Sequence, residues 1–123
     1  MVDDEPDLRL LVRFTLEADG FDVVEAGSGE DALEAISKDA PNVVLLDIKL
    51  PGIDGWEVVR RVREQGNGLP IVMVSAHASD TTSRLAEDAG CNGYVAKPFR
   101  PDELRAAIDE ATGAASPTQN EAR

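Results

Sequence analysis

Short apolar runs alternate along the chain with segments in which apolar residues recur at helical spacing. Residues 43–46, 71–74 and, more weakly, 94–96 form apolar runs that are too short for helices, which predicts strands buried on both faces. Residues 8–16 and 104–111 place apolar side chains three or four positions apart, which predicts amphipathic helices. Because strands and helices alternate, we expect an open, doubly wound α/β domain built on a parallel sheet.

Turn and capping residues indicate the boundaries of the remaining elements. Proline suits the first turn of a helix and glycine the position after its last turn, so a first helix is expected between Pro6 and Gly20. Ser28 resembles an N-cap for a second helix that continues to Asp39. Further helices are predicted over residues 56–64, 79–89 and 101–111, and a further strand over residues 21–26.

Length and composition exclude several classes of function. The 123 residues suit one domain, expected over residues 1–112, with a disordered tail or linker over residues 113–123. The net charge of −12, without any Lys/Arg run, disfavours direct binding of nucleic acid. Cys91 is the only cysteine, which excludes an internal disulfide and a multi-cysteine metal site. No apolar stretch approaches the roughly 20 residues that span a membrane and no secretion signal is visible, so a cytoplasmic location is expected.

The most informative polar residues each follow an apolar run. They are the acidic pair Asp3-Asp4, then Asp47, Ser75 and Lys97. In an open parallel sheet the carboxyl ends of the strands converge on one crevice, so these side chains are expected to share a pocket. Clustered carboxylates repel one another unless a cation joins them, and Mg²⁺ is usually held by one or two carboxylates together with a phosphate. A carboxylate is also a competent nucleophile toward phosphorus, so the pattern favours an aspartyl phosphate.

In these same segments the chain resembles the response-regulator receiver family, over almost all of residues 1–112. Residues 1–6 (Met-Val-Asp-Asp-Glu-Pro) are similar to the acidic pair that ends the family's first strand. Residues 45–55 (Leu-Leu-Asp-Ile-Lys-Leu-Pro-Gly-Ile-Asp-Gly) are similar to the phosphoacceptor strand and its loop. Residues 74–76 (Val-Ser-Ala) match the place in the family where a hydroxyl residue is followed by a small residue. Residues 97–99 (Lys-Pro-Phe) match the family lysine and the proline that follows it. Four such pieces in order are specific, and they imply a flavodoxin-like sheet of strand order 2-1-3-4-5 with five helices.

The resemblance implies which residues accept the phosphoryl group and bind the metal. Asp47 would be the phosphoacceptor. Mg²⁺, or Mn²⁺ in its place, would be bound by Asp4, Asp47 and the backbone carbonyl of Lys49, with Asp3 acting through water. Lys49 and His77 flank the site in the family pattern, and there they would tune the lifetime of the phosphoryl group.

The resemblance also implies how the signal leaves the site. Lys97, Ser75 and the backbone of Ala76 would contact the phosphoryl group, and a cis peptide bond would join Lys97 to Pro98. Ser75 and the aromatic Tyr94 would form a switch. Their movement would reshape the surface made by the fourth helix, the fifth strand and the fifth helix.

Partners follow from the same resemblance. A sensor histidine kinase or a phosphotransfer protein would supply the phosphoryl group, and a downstream target protein or an output domain would read the result. A homodimer through the switching surface is allowed, whereas direct contact with nucleic acid or membrane is not expected. The chain would not be an enzyme, beyond catalysing its own phosphorylation and dephosphorylation.

The first strand departs from the family pattern. Receivers normally begin with several apolar residues, but here only Met1 and Val2 precede the acidic pair. A truncated interior strand loses ladder hydrogen bonds and apolar packing, a deficit of several kcal/mol against a stability of roughly 5–15 kcal/mol. We therefore expect that the natural product begins upstream or that another segment completes the sheet.

Several of these residues also have simpler interpretations. Asp3 and Asp4 are compatible with exposed acids near a helix N-terminus, and Ser75 with an ordinary turn cap. Tyr94 is compatible with a half-buried strand aromatic. Asp47 fits a simple interpretation less well, because a charge that ends a buried strand needs water, a partner or a metal.

Three other functions compete with the phosphorylated switch. A Mg²⁺-dependent phosphatase of the aspartyl-phosphate type would need a second carboxylate two residues after Asp47, where Lys49 stands. A flavodoxin-like cofactor module would need a phosphate loop, and no Gly-rich loop supports one. A degenerate receiver used only as an interaction surface is disfavoured by the intact acceptor and Lys97, whereas the short first strand is compatible with it.

Overall fold

Three parallel strands form the centre of the sheet in the computed structural model, which describes residues 1–76 and 80–113. These strands are β1 (Val44–Asp47), β2 (Ile71–Ser75) and β3 (Gly93–Ala96), in the spatial order β1-β2-β3. Every residue of β1 and β2 is buried, as the uninterrupted apolar runs predict for strands covered on both faces.

Within the described residues five helices connect and cover the strands. They are α1 (Pro6–Glu17), α2 (Gly29–Asp39), α3 (Gly55–Glu64), α4 (Asp80–Asp88) and α5 (Pro101–Thr112). The bounds agree with the sequence prediction to within a few residues, although the predicted first residue of the fourth helix, Ser79, lies outside the described residues. Ser28 is the N-cap of α2, as predicted, and its hydroxyl accepts a hydrogen bond from the Asp31 amide at 3.1 Å.

The helices cover both faces of the sheet, which confirms the doubly wound architecture. One core cluster contains buried residues of α2 and α3 with Leu46 and Met73 of the sheet. The other contains buried residues of α1 and α5 with Leu45 and Val72. Adjacent residues of one strand thus pack in different clusters, because successive side chains of a strand point to opposite faces. No helix within the described part of the chain is long and apolar enough to cross a membrane.

The strand predicted over residues 21–26 is wrong in its extent, because only Ala26 of this range forms a β-bridge, although the Met1 amino group also donates to the Val24 carbonyl at 2.9 Å. Val2 forms isolated parallel bridges to Ala26 on one side and to Leu46 on the other. Four backbone hydrogen bonds hold this pairing: Val2 N to Leu45 O (2.8 Å), Asp47 N to Val2 O (3.0 Å), Asp3 N to Ala26 O (3.1 Å) and Ala26 N to Met1 O (3.0 Å). Residues 1–3 therefore lie between the segment at Ala26 and β1, and the spatial order is the Ala26 segment, residues 1–3, β1, β2 and β3. This is the predicted order 2-1-3-4-5 when the five segments are numbered along the chain.

An apolar cleft of about 100 Å³ lies beside this short first segment. Its walls include Val2, Phe21, Val24 and Val44. Phe21 and Val24 are 38% and 50% exposed, respectively, which is high for large apolar residues next to a sheet. Apolar packing is therefore incomplete on this side of the sheet.

Candidate functional site

The predicted site residues Asp3, Asp47, Ser75 and Lys97 lie at one edge of the sheet, because the strands are parallel and each residue stands at the carboxyl end of its segment. Asp47 and Ser75 are the last residues of β1 and β2, and Lys97 directly follows β3. Asp3 ends the segment that bridges to β1. Asp3, Asp47 and Ser75 are the buried polar residues of the described chain, so the fold removes them from water at this edge.

Lys97 joins the two buried carboxylates. Its Nζ donates hydrogen bonds to Asp3 Oδ2 at 2.8 Å and to Asp47 Oδ2 at 3.2 Å. Glu5 Oε1 lies 3.9 Å from the same nitrogen, so a third carboxylate is close to the ammonium. The Lys97–Pro98 peptide bond is cis, as the family resemblance implied.

Backbone amides hold the remaining oxygen of each buried carboxylate. The Glu5 amide donates to Asp3 Oδ1 at 2.9 Å, and the Lys49 amide donates to Asp47 Oδ1 at 3.3 Å. Both carboxylates are therefore fixed from two sides. This arrangement keeps the side chain of Asp47 directed toward Lys97 and Asp3.

Burial and the nearby charges shift the pKa values at the site. Burial raises the pKa of the Asp47 carboxyl, the Asp3 carboxylate adds to this shift, and the Lys97 ammonium opposes it. For Lys97, burial lowers the pKa, but the hydrogen bond to Asp3 and the charge of Asp47 outweigh burial, so the net shift is upward. Lys97 is therefore held in its charged form.

The acidic cluster suits a hard divalent cation. Asp3, Asp4 and Asp47 each place one carboxylate oxygen within 4.8 Å of the others. Asp4 is exposed, unlike its two partners, so the cluster is open to solvent on its side. Carboxylate oxygens are the ligands that Mg²⁺ prefers, and an open side leaves room for its waters and for a phosphate.

The other predicted residues surround this cluster. Ser75 is buried at the end of β2, Ala76 is exposed just after it, and Lys49 is exposed two residues after Asp47. Tyr94 is half-buried on β3 and packs against the cluster that contains α2 and α3. The predicted lifetime residue His77 lies outside the described residues.

Arg9, which no sequence motif singles out, also belongs to this region. Its Nη1 donates to the backbone carbonyl of Asp3 at 2.6 Å, and its Nε pairs with Glu25 Oε1 at 3.1 Å. The helical spacing of Arg9 from the buried Val12 does not indicate this contact, because the Asp3 carbonyl lies outside the helix.

The first residue of α3 lies directly against the backbone of Asp47 and Ile48. The Gly55 amide donates to the Ile48 carbonyl at 2.7 Å. A Cβ placed on Gly55 would lie 2.4 Å from the Asp47 carbonyl oxygen and 2.8 Å from the Ile48 Cα. Only a residue without a side chain allows this close approach.

Cys91 is expected to be a slowly reacting thiol. Burial raises its pKa to about 11, with Arg63 acting in the opposite direction. At about pH 8 this pKa would leave about 100-fold less thiolate than an ordinary cysteine has, so disulfide exchange with a chromogenic reagent should be slower by about that factor. The check is the reaction rate in native buffer against the rate in urea. Equal rates would contradict the burial of this thiol.

Comparison of the sequence identifies similar proteins. A family model described as "Response regulator receiver domain" matches residues 1–109. The chain is 36% identical over 108 residues to the alkaline phosphatase synthesis transcriptional regulatory protein PhoP of Bacillus subtilis (strain 168), which covers 88% of this chain and 45% of PhoP. The chain therefore spans about half the length of this curated relative.

Solved structures share the fold over most of the chain. The BeF3-activated N-terminal receiver domain of Klebsiella pneumoniae RstA is 35% identical with a TM-score of 0.83, covering 90% of this chain and 94% of that one. A CheY-like receiver domain protein from Methanospirillum hungatei JF-1 is 29% identical with a TM-score of 0.84, covering 98% and 94%. NtrX from Brucella abortus is 33% identical with a TM-score of 0.84, and the match covers 98% of this chain but only 28% of NtrX.

Proposed function

Because this chain belongs to the response regulator receiver domain family, in which an aspartate is generally phosphorylated, we propose that Asp47 accepts a phosphoryl group in the presence of Mg²⁺. A sensor histidine kinase or a phosphotransfer protein is the proposed donor. The observation that carries the proposal is the contact of Lys97 Nζ with both Asp3 and Asp47, beside the open acidic cluster. A buried carboxylate with a fixed ammonium and room for a cation is equipped to bind a phosphoryl group.

The proposed step needs no base at Asp47. A carboxylate oxygen of Asp47 forms the new bond to phosphorus while the bond from phosphorus to the donor breaks, and the donor leaves with that electron pair. Lys97 offsets the negative charge on the phosphoryl oxygens from its position 3.2 Å from Asp47 Oδ2. Mg²⁺ held by Asp4, Asp47 and the Lys49 carbonyl, with Asp3 acting through water, would supply further charge compensation when bound.

We further propose that phosphorylation changes the surface formed by α4, β3 and α5. A surface groove of about 640 Å³ lies along β3 and α5 and includes Tyr94, Pro98 and Glu103. Movement of Ser75 toward a phosphoryl group at Asp47 would leave room for Tyr94 to turn inward, which would reshape the groove. A downstream target, an output domain or a second copy would then bind one form better than the other.

Turnover of an external phosphate ester is not part of the proposal. Aspartyl-phosphate phosphatases use a second carboxylate two residues after the nucleophile as an acid and base. Lys49 stands at that position, and its exposed ammonium has no lone pair with which to accept a proton.

The test is intact-mass spectrometry after incubation with acetyl phosphate, with and without Mg²⁺. We expect a single phosphoryl adduct that requires Mg²⁺ and is absent from Asp47→Asn. The matched control is Asp54→Asn in the same loop. Asp54 is the N-cap of α3, a position at which asparagine is equally suitable, so this variant should be labelled like the wild type.

Two outcomes would contradict the proposal. An adduct of equal yield on Asp47→Asn would identify a different acceptor. The absence of any adduct on a folded wild-type protein, with acetyl phosphate and Mg²⁺ in excess, would favour an interaction domain that does not depend on phosphorylation.

A further inference from the structure

We propose that Arg9 is a positioning residue for the acidic cluster: its guanidinium holds the main chain at Asp3 so that the carboxylate of Asp4 stays directed toward Asp47. This inference rests on the proposed function, because the cluster is taken to bind the Mg²⁺ that phosphorylation requires. Arg9 touches neither a phosphoryl group nor a carboxylate of the cluster. It acts through the backbone.

The Asp3 carbonyl needs a partner because the chain leaves the sheet at this residue. The amide of Asp3 still pairs with Ala26 O, whereas its carbonyl accepts from Arg9 Nη1 at 2.6 Å. That carbonyl belongs to the peptide group between Asp3 and Asp4. Because the peptide group is planar, holding this carbonyl fixes the plane that contains the Asp4 Cα and so restricts the directions in which the Asp4 side chain can leave the backbone.

Asp4 depends most on this constraint. Its side chain is exposed, and no hydrogen bond from the described residues fixes its direction. Asp3, in contrast, is held by Lys97 and by the Glu5 amide. Loss of the carbonyl contact would therefore allow Asp4 to turn away from the cluster while Asp3 remains in place.

Arg9 is itself held in position from the far side. Its Nε pairs with Glu25, which also accepts from Arg13 Nη1 at 3.0 Å. The Arg9 side chain is 19% exposed, against 44% for Arg13. A Cβ added at Gly27 would lie 3.1 Å from Arg9 Nη1, so the guanidinium is also closely packed against this backbone.

Positioning and simple electrostatics predict opposite signs for the effect of removing Arg9. Arg9→Met removes a positive charge near a cation site, and by Coulomb's law alone this should strengthen Mg²⁺ binding. Loss of positioning should weaken it. Arg9→Lys keeps the charge but lacks the planar fork that contacts a carbonyl and a carboxylate together, so positioning predicts weaker binding here as well.

The experiment measures Mg²⁺ binding to the unphosphorylated protein by isothermal titration calorimetry. Arg9→Met and Arg9→Lys should each weaken binding by about 10-fold, the lower end of the range for residues that orient metal ligands. The matched control is Arg13→Met, which also removes a charge bound to Glu25 but leaves the Asp3 carbonyl untouched, and it should bind like the wild type. Acetyl phosphate labelling of both Arg9 variants should be slow at limiting Mg²⁺ and normal at saturating Mg²⁺.

The outcomes separate this inference from the proposed function. Mg²⁺ binding by Arg9→Met that equals or exceeds wild-type binding, in a protein whose circular dichroism is native, would overturn the role of Arg9 while leaving Asp47 as the acceptor. Arg9→Lys answers the same question if Arg9→Met does not fold. A wild-type protein that binds no Mg²⁺ would overturn both proposals.

Discussion

Replacing Lys97 with methionine is expected to destabilise the metal-free protein by about 3 kcal/mol, at the lower end of the range for breaking a buried ion pair. The lysine is 16% exposed, whereas the side chains of its partners Asp3 and Asp47 are 0% and 10% exposed. The variant would leave two like charges close together and largely removed from water. Urea denaturation of the wild type and the variant measures the difference in the free energy of unfolding.

Two changes of conditions should reduce this penalty. Without Lys97, the pKa of the Asp47 carboxyl in the folded state, which burial already raises, moves further above its value in the unfolded state. The folded variant then binds more protons than its unfolded state. Lowering the pH from neutral toward about 5 should therefore reduce the difference in the free energy of unfolding between the variant and the wild type. Millimolar Mg²⁺ should also stabilise the variant more than the wild type, since it replaces the missing positive charge.

The matched control for Lys97→Met is Lys49→Met. Lys49 is exposed, and no ion pair within the described residues involves its ammonium, so its removal should change stability by less than about 0.5 kcal/mol. A Lys97→Met variant as stable as this control at neutral pH would mean that the two buried carboxylates are solvated or share a proton. The contact with Lys97 would then have little structural importance.

Replacing Gly55 with alanine is expected to destabilise the fold by about 3 kcal/mol and to slow phosphorylation by about 10-fold or more. The new Cβ would lie 2.4 Å from the Asp47 carbonyl oxygen. Backbone atoms cannot move aside as a flexible side chain can, so α3 or the end of β1 must shift. Elsewhere in a helix the same substitution stabilises the protein by up to about 1 kcal/mol. A loss of stability on Gly55→Ala would therefore indicate the close approach to the Asp47 backbone.

The matched control for Gly55→Ala is Gly68→Ala. A Cβ on Gly68 would meet nothing within 4 Å, and stability should change by less than about 0.5 kcal/mol. Thermal unfolding and the rate of acetyl phosphate labelling at saturating Mg²⁺ are the two measurements. Wild-type values for both in Gly55→Ala would contradict the close packing of α3 against the end of β1.

The site could be located from the sequence because its residues occupy strand ends. Asp47 and Ser75 follow apolar runs that are buried at every position, and parallel strands bring such ends to one edge. The pairing of Lys97 with Asp3, 94 residues away in the chain, was not predicted, nor was the contact of Arg9 with the Asp3 carbonyl. Periodicity is a local signal, and it contains no information on which distant polar groups become partners.

The sequence alone determined the alternation of strands and helices, the three central strands and the identity of the acidic cluster, because apolar periodicity and strand-end position are properties of short segments. Folding in three dimensions sets how far residues 21–26 pair, with a β-bridge at Ala26 and a hydrogen bond from the Met1 amino group to the Val24 carbonyl, and it places the start of α3 against the backbone of Asp47. A strand requires a neighbour with free backbone groups, and here the inner neighbour consists of residues 1–3. Pairing and close approach depend on what lies alongside a segment, so they are decided when the chain folds.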